Sequence, residues 1–447
     1  MIFTSRAGLT GHSMQSQRTR RPPARRRVLL IVLSSALLLS GLLPTQAAAG
    51  TTYYVSSTGS DSNNCSQASP CRQITKALTL VKAGDTISVG AGASYNAFTI
   101  DTMNGTASAP ITIKAQGTGA QISPTSSQNG DSIYIADSSY IVIDGLQAFN
   151  ANRAGIRVSN SPHVTVQNGV FGNNSKWGIF TDFTDDLLLQ NNECYSSAQQ
   201  HGIYVSNSSQ RPTIKGNRSH DNAQCGIQIN ADASMGPPGV TQGAVIANNI
   251  IYNNGNPGGG AGINLDGVQN STIVNNLLYN NHATGIANFV GDGASGATGM
   301  LIYNNTIDMA SDGRDAIQML DTAGGGNILR NNIIYNRNTN NEDIAYGNNT
   351  DASNTSSDYN IFDRSGSGET HSFAATLANL FVSSGTDYHL KSGSPAIDKG
   401  QTVASVTTDI EGHSRGQGAG YDIGAYEYAS GGGTNPAPSP PINLRLR

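Results

Sequence analysis

The 447-residue chain carries 26 Lys+Arg against 30 Asp+Glu, only 13% charged residues, and 52 glycines. That balance excludes the strongly basic footprint of a nucleic-acid binder. Abundant Gly, Asn, Ser and Thr reads either as low complexity or as a repeat with many tight corners, and periodicity decides for the repeat.

Residues 1–49 read as an export signal. Seven arginines, from Arg6 to Arg27, precede an apolar run from Val28 to Leu43, and Ala47-Ala48-Ala49 supplies the small residues of a cleavage site. The run is short for a membrane span, so no membrane insertion is expected once the signal is removed. Arg25-Arg26-Arg27 loosely resembles a twin-arginine signal; the ordinary secretory route is preferred. Subtracting the seven leader arginines from 26 leaves 19 basic against 30 acidic residues, a mature net charge near −11. A polyanionic ligand would then need a local basic patch or a bridging cation.

Residues 50–130 read as an N-terminal cap and first coils, with a capping helix from Gln73 to Val81. Cys65 and Cys71 are close in sequence in an exported chain and are expected to form a disulfide. Cys194 and Cys225 form a weaker candidate pair, because their separation of 31 does not match the repeat.

Residues 131–339 hold the repeat. The motif Gly-Ile-x-apolar recurs with its isoleucine at 156, 179, 203, 227, 263 and 286, then at 317 with Ala for Gly, at gaps of 23, 24, 24, 36, 23 and 31. The long gaps contain Met235–Gly239 and Gly291–Gly296, which read as loops projecting from one coil. A second landmark recurs as Asn191-Asn192, Asn248-Asn249, Asn275-Asn276 and Asn331-Asn332. Asparagine tolerates left-handed backbone, so it suits a sharp corner, and stacked corners would let the amides bond as a ladder. Short β-branched runs without helical period, and 6% aromatic content, describe an all-β solenoid with a narrow aliphatic interior. The fold predicted is a right-handed parallel β-helix. Residues 340–428 lose the period and read as a closing segment, and 429–447 as a Gly/Pro-rich linker. Pro440-Pro441-Ile442-Asn443-Leu444 resembles the start of a fibronectin type III module.

Three segments carry a family resemblance. Tyr53-Tyr54-Val55-Ser56, Gly59-Ser60-Asp61 and Lys82-Ala83-Gly84-Asp85-Thr86-Ile87 resemble the N-terminal cap of pectate-lyase-like β-helix proteins. The coils resemble that superfamily's repeat. Ser394-Pro395-Ala396-Ile397-Asp398, Asp409-Ile410-Glu411-Gly412 and Asp422-Ile423-Gly424-Ala425-Tyr426-Glu427 resemble the closing domain of bacterial exported β-helix proteins. The superfamily includes polysaccharide lyases, glycoside hydrolases, uronate epimerases and non-catalytic surface proteins. The chain departs from calcium-dependent members, whose aspartates cluster on neighbouring coils beside a catalytic lysine: Asp182, Asp266, Asp292, Asp315 and Asp321 are spread over several coils.

Stacking the motif predicts the outward patch. Coils rise roughly 4.8 Å each, so Arg157, Trp177, Phe180, Asp182, His201, Tyr204 and Gln228 should be contiguous, with Asn264 further along. The chain's one tryptophan reads as an exposed platform for a sugar, and Arg153 and Lys176 make the patch locally basic. The expected activity is β-elimination on an acidic, uronate-containing polysaccharide. Arg157 or Arg153 would neutralise the carboxylate, His201 would act as base, Tyr204 as acid or as shared acid and base, and Lys176 as reserve base. Trp177, Arg153, Asp182, Phe180, Gln228 and Asn264 would bind substrate. Asp266 and Asp292, near Gly-rich loops, are the residues that would take a calcium ion. The other readings are a glycan-binding adhesin, a C5 epimerase and a glycoside hydrolase. A secreted monomer is expected.

Overall fold

The computed structural model describes residues 50–124, 129–364 and 368–428; the export signal and the terminal linker lie outside the described residues. The chain winds through three parallel sheets, and each coil crosses them in the same order. In one coil Leu188–Gln190 lies in the first sheet, Glu193–Tyr195 in the second and Ile203–Ser206 in the third. The first and second sheets have twelve strands and the third has ten. This is the predicted right-handed parallel β-helix.

The register is the one the motif implies. Ile133, Ile156, Ile179, Ile203, Ile227, Ile263, Ile286, Ile317 and Ile344 are aligned partners on successive third-sheet strands. From Ile133 to Ile317 they are all but inaccessible to solvent. A strand turns alternate side chains to opposite faces, so each isoleucine inside places the next residue outside. The motif glycines allow the close packing beneath: a Cβ on Gly178 would sit 2.7 Å from the Gly202 carbonyl oxygen.

The two asparagines of each corner do different work. The first is left-handed, with φ of 54° at Asn191, 57° at Asn248 and 53° at Asn275; Gly216 takes the same place at 66°. The second points inward and builds the ladder. Asn249 Oδ1 accepts the backbone N–H and side-chain amide of Asn217, and Asn249 Nδ2 donates to the Ile214 carbonyl. The pattern repeats through Asn276, Asn305, Asn332 and Asn360. A second ladder, Asn222–Asn254–Asn281, lines the corner between the second and third sheets.

The capping helix is shorter than expected, Ile74–Leu78, with Gln73 as its extended N-cap. Thr79 ends it, its hydroxyl donating to the Lys76 carbonyl. Cys65 and Cys71 are bonded. Cys194 and Cys225 are not: both are buried free thiols, Cys194 in the aliphatic interior and Cys225 on the outer side of the third sheet.

Sheet pairing continues past residue 340, through Ile344–Tyr346, Thr355–Asp358, Ile361–Phe362 and Phe373–Ala374. The segment after it covers the outer face of the second sheet, where Leu380, Phe381, Leu390, Ile423 and Ala425 pack on Leu277 and Ile333. Its resemblance motifs are bracing. Asp409 accepts the Glu411, His413 and Glu427 amides, Asp422 accepts that of Asp398, and buried Arg415 pairs with Glu427 at 3.3 Å. Arg415 also donates to Asn275 of a corner. No helix among the described residues is long and apolar enough to cross a membrane.

Candidate functional site

The third sheet presents a column of outward residues in register: Tyr134, Arg157, Phe180, Tyr204, Gln228, Asn264. Beside it runs Ser159, Asp182, Ser206. The predicted patch is therefore contiguous, and cations and rings alternate across it. The Trp177 and Phe180 rings stack at 4.4 Å, and the Arg153 guanidinium lies 5.5 Å from each centroid. Arg157 lies between the rings of Tyr134 and Phe180, 5.0 and 5.5 Å away, and Lys176 Nζ is 5.4 Å from the Trp177 ring. Tyr204 closes the cluster, 5.3 Å from Phe180 and 5.2 Å from His201.

Five expectations change. Trp177 is not an exposed platform. It keeps 8% of its surface, roofed by Arg153 and Lys176, and its indole N–H has no partner among the described residues. The basic character is also reduced. Arg157 is bound by Asp182 at 2.9 Å and Arg153 by Asp131 at 3.6 Å, so three cations face two carboxylates. Burial raises Asp131 above the usual carboxylate range, against the pull of Arg153.

His201 is held in one protonation state. It is 8% exposed, and burial brings its pKa down to about 4. Its Nδ1 accepts the Cys225 backbone N–H at 3.1 Å, so in the neutral ring Nε2 carries the proton. The ring offers a hydrogen-bond donor, and the expected base role loses its lone pair.

Asp266 and Asp292 are not part of a group of three or more ligand residues spaced to hold a cation among the described residues. Both Asp266 oxygens are taken by backbone N–H groups, of Gly291, Asp292 and Gly293. This carboxylate anchors one insertion, which joins the other where Ala233 N–H donates to the Asp292 carbonyl and Ala294 N–H to Gly239. Asp292 itself accepts from Asn230 at 3.3 Å. Among the described residues the group spaced to hold a cation is Asp409, Glu411 and His413, remote in sequence from these coils.

Gln228 and Asn264 point at Cys225 rather than into open space: its thiol donates to Gln228 Oε1 at 3.3 Å, and Asn264 Nδ2 lies 3.6 Å from the sulfur. Burial pushes that thiol up to about 12, so it is inert. Tyr204 is also raised, first by burial and then by Asp292, Asp232 and Asp266, and stays a neutral phenol bonded to Ser206. Asp131 and Tyr134 were missed in the sequence because their coil reads Ser-Ile where the others read Gly-Ile. The spacing of 23 from Ile133 to Ile156 was the available signal.

With this geometry, comparison with known proteins is informative about fold. Residues 111–256 match the family model described as right handed beta helix region. The chain has the fold of the pectate-lyase-like superfamily of right-handed β-helices. Among solved structures it is similar to pectate lyase Pel9A, at 19% identity and a TM-score of 0.63, over 85% of this chain and 97% of that one. A rhamnogalacturonan lyase matches at 16% identity and 0.52, over 75% and 91%. XylC in complex with xylose matches at 12% and 0.52, over 84% and 98%. No curated protein matches the sequence.

Proposed function

We propose that this is a secreted, polysaccharide-active protein, and that the third-sheet patch cleaves an acidic glycan by β-elimination. The observation that carries the reading is the layered cluster Arg153–Trp177–Phe180–Arg157 on successive coils, flanked by a neutral phenol. Two of the similar structures, a pectate lyase and a rhamnogalacturonan lyase, bear names of the same chemistry. A cation bound over a ring keeps part of its charge for a third partner, so Arg157 can engage a uronate carboxylate while Asp182 fixes its direction.

In β-elimination a base removes the C5 proton, the C4–O bond breaks, its electrons leave with the oxygen, and a C4=C5 double bond forms. Arg157 would stabilise the charge that develops on the carboxylate. Tyr204, held protonated, would give its proton to the leaving oxygen. With His201 locked as a donor, the base role passes to Lys176, which would act as the neutral amine after giving up the proton it carries over the Trp177 ring, and His201 Nε2–H steadies a sugar hydroxyl. The reaction needs no calcium from Asp266 or Asp292 in this scheme.

One observation favours a second reading, a non-catalytic glycan binder: both arginines already have carboxylate partners, and His201 is neutral and engaged. The test is ultraviolet absorbance of the conjugated product when the mature protein is incubated with polygalacturonate, alginate and glycosaminoglycans, with and without calcium. A rise on one polymer supports the lyase. Binding of a polymer without a rise supports the binder.

A further inference from the structure

We propose that the corner between the second and third sheets is a second glycan-binding groove, separate from the patch above, and that it takes a neutral polysaccharide chain. Two adjoining hollows of about 620 and 650 Å³ lie there and share Asn253 and Asn280. The first reaches from Ser197 to His282; the second ends at Arg337 and at Tyr388, which the closing segment contributes. They run along the solenoid axis, across successive coils.

Beside them the second sheet carries a column of rings in register, Tyr195, His220, Tyr252 and Tyr279. The last three are stacked nearly parallel, with centroids 4.6 and 4.7 Å apart and tilts of 3° and 6°. Burial raises the Tyr252 phenol and brings that of Tyr279 up to about 12, so both remain neutral hydroxyls. A surface amide row runs parallel: Asn280 Nδ2 donates to Asn253 Oδ1 at 2.7 Å, and Asn253 Nδ2 to Asp221 at 3.1 Å. A hydroxyl and an amide thus stand side by side on two successive coils, at Tyr252–Asn253 and at Tyr279–Asn280. An extended β-linked chain presents its hydroxyls at a comparable advance per sugar, so one coil meets one sugar.

Charge decides which glycan. The ionisable groups along the groove already have partners: the His220 ring is bonded to Asp221 and Glu193, the His282 ring to Asp312, Arg218 lies 3.7 Å from Glu193, and Arg337 holds Asp308 through two hydrogen bonds. Tyr388 also donates to Asp308, at 2.6 Å. A polyuronate would find Arg337 already engaged by Asp308 and would meet the carboxylates of Asp221 and Asp312. A neutral chain needs only the donors and acceptors.

The test is calorimetric titration of the mature protein with cellohexaose, xylohexaose and hexagalacturonate. Variants are Tyr279→Ala and Asn280→Gly; the glycine keeps the left-handed backbone of φ 51° and so guards against misfolding. A neutral hexasaccharide should bind, and both variants should weaken it at least tenfold while leaving any elimination activity unchanged. Absence of binding by both neutral probes overturns the proposal, as does neutral binding that both variants retain. Loss of hexagalacturonate binding in these variants would also overturn it, by showing the groove to be an acidic-glycan site. Failure of the elimination assay bears only on the third-sheet patch.

Discussion

His201 shows how one side chain can be placed by its period and still differ in role from its type. The motif put it beside Tyr204 on the outer face, and there it is, at 5.2 Å. Burial then removes its value as a base by lowering its pKa to about 4. This has a consequence for stability. The unfolded imidazole titrates near pH 6.5, so as pH falls the unfolded chain binds the proton first. The contribution is complete above about pH 6.5 and is lost as pH drops towards 4, a change of about 3 kcal/mol. His201→Gln should flatten that limb when urea unfolding is compared at pH 7 and pH 4.5; an unchanged slope would show that the ring is not buried as described. No sequence pattern carried this information, because it depends on which backbone N–H of the next coil faces Nδ1. The same holds for Trp177: its column was legible, but its roof of Arg153 and Lys176 comes from residues before the strand.

At the scale of the element, the paired asparagines divide turn from ladder, and the division is measurable. Asn249→Ala leaves the Asn217 backbone N–H without its partner in the interior and removes the amide's bond to the Ile214 carbonyl, at a cost of about 1–3 kcal/mol. Asn248→Gly, one residue earlier, keeps a left-handed corner and should change stability by less than about 1 kcal/mol. Urea midpoints for the two variants check the contrast, and equal losses would mean that both residues serve the corner alone. The corners were readable from the Asn-Asn repeat, since few other residues accept positive φ. The second ladder carries the same doublet at Asn253-Asn254 and Asn280-Asn281 and went unread because the doublet after the first sheet masks it and because Asn222 follows Asp221 instead. The insertions after the third-sheet strands were also legible as loops. That Asp266 anchors one of them through three amides, rather than waiting for a cation, was not, since both uses draw on the same residue types.

For the whole molecule, the period specifies a solenoid whose stability is the sum of coils and their contacts, and the closing segment ties several coils together laterally. Arg415 is the centre of that tie, bonded to Glu427, to Asn275 and to the carbonyls of Gly424 and Ala425 with no exposure. Arg415→Met should cost about 3–5 kcal/mol, as breaking a buried pair does, and calorimetry should show a lower unfolding temperature. Loss of less than about 1 kcal/mol would mean that the segment is only draped on the second sheet. The sequence showed this region as a change of period and a set of acidic motifs. Its sheets nonetheless continue to Ala374, because the later strands keep the spacing while losing the Gly-Ile signature.

In the proposed reaction the third-sheet patch eliminates across an acidic glycan with Lys176 as base and Arg157 on the carboxylate. The most direct measurement is the ultraviolet rate on the best polyuronate for the wild type, Lys176→Ala and Arg157→Ala, each with its polymer affinity. The rate should fall by at least a hundredfold in Lys176→Ala with affinity nearly kept, and both rate and affinity should be lost in Arg157→Ala. A full rate in Lys176→Ala, or a wild type that binds every polymer tried and eliminates none, would contradict it.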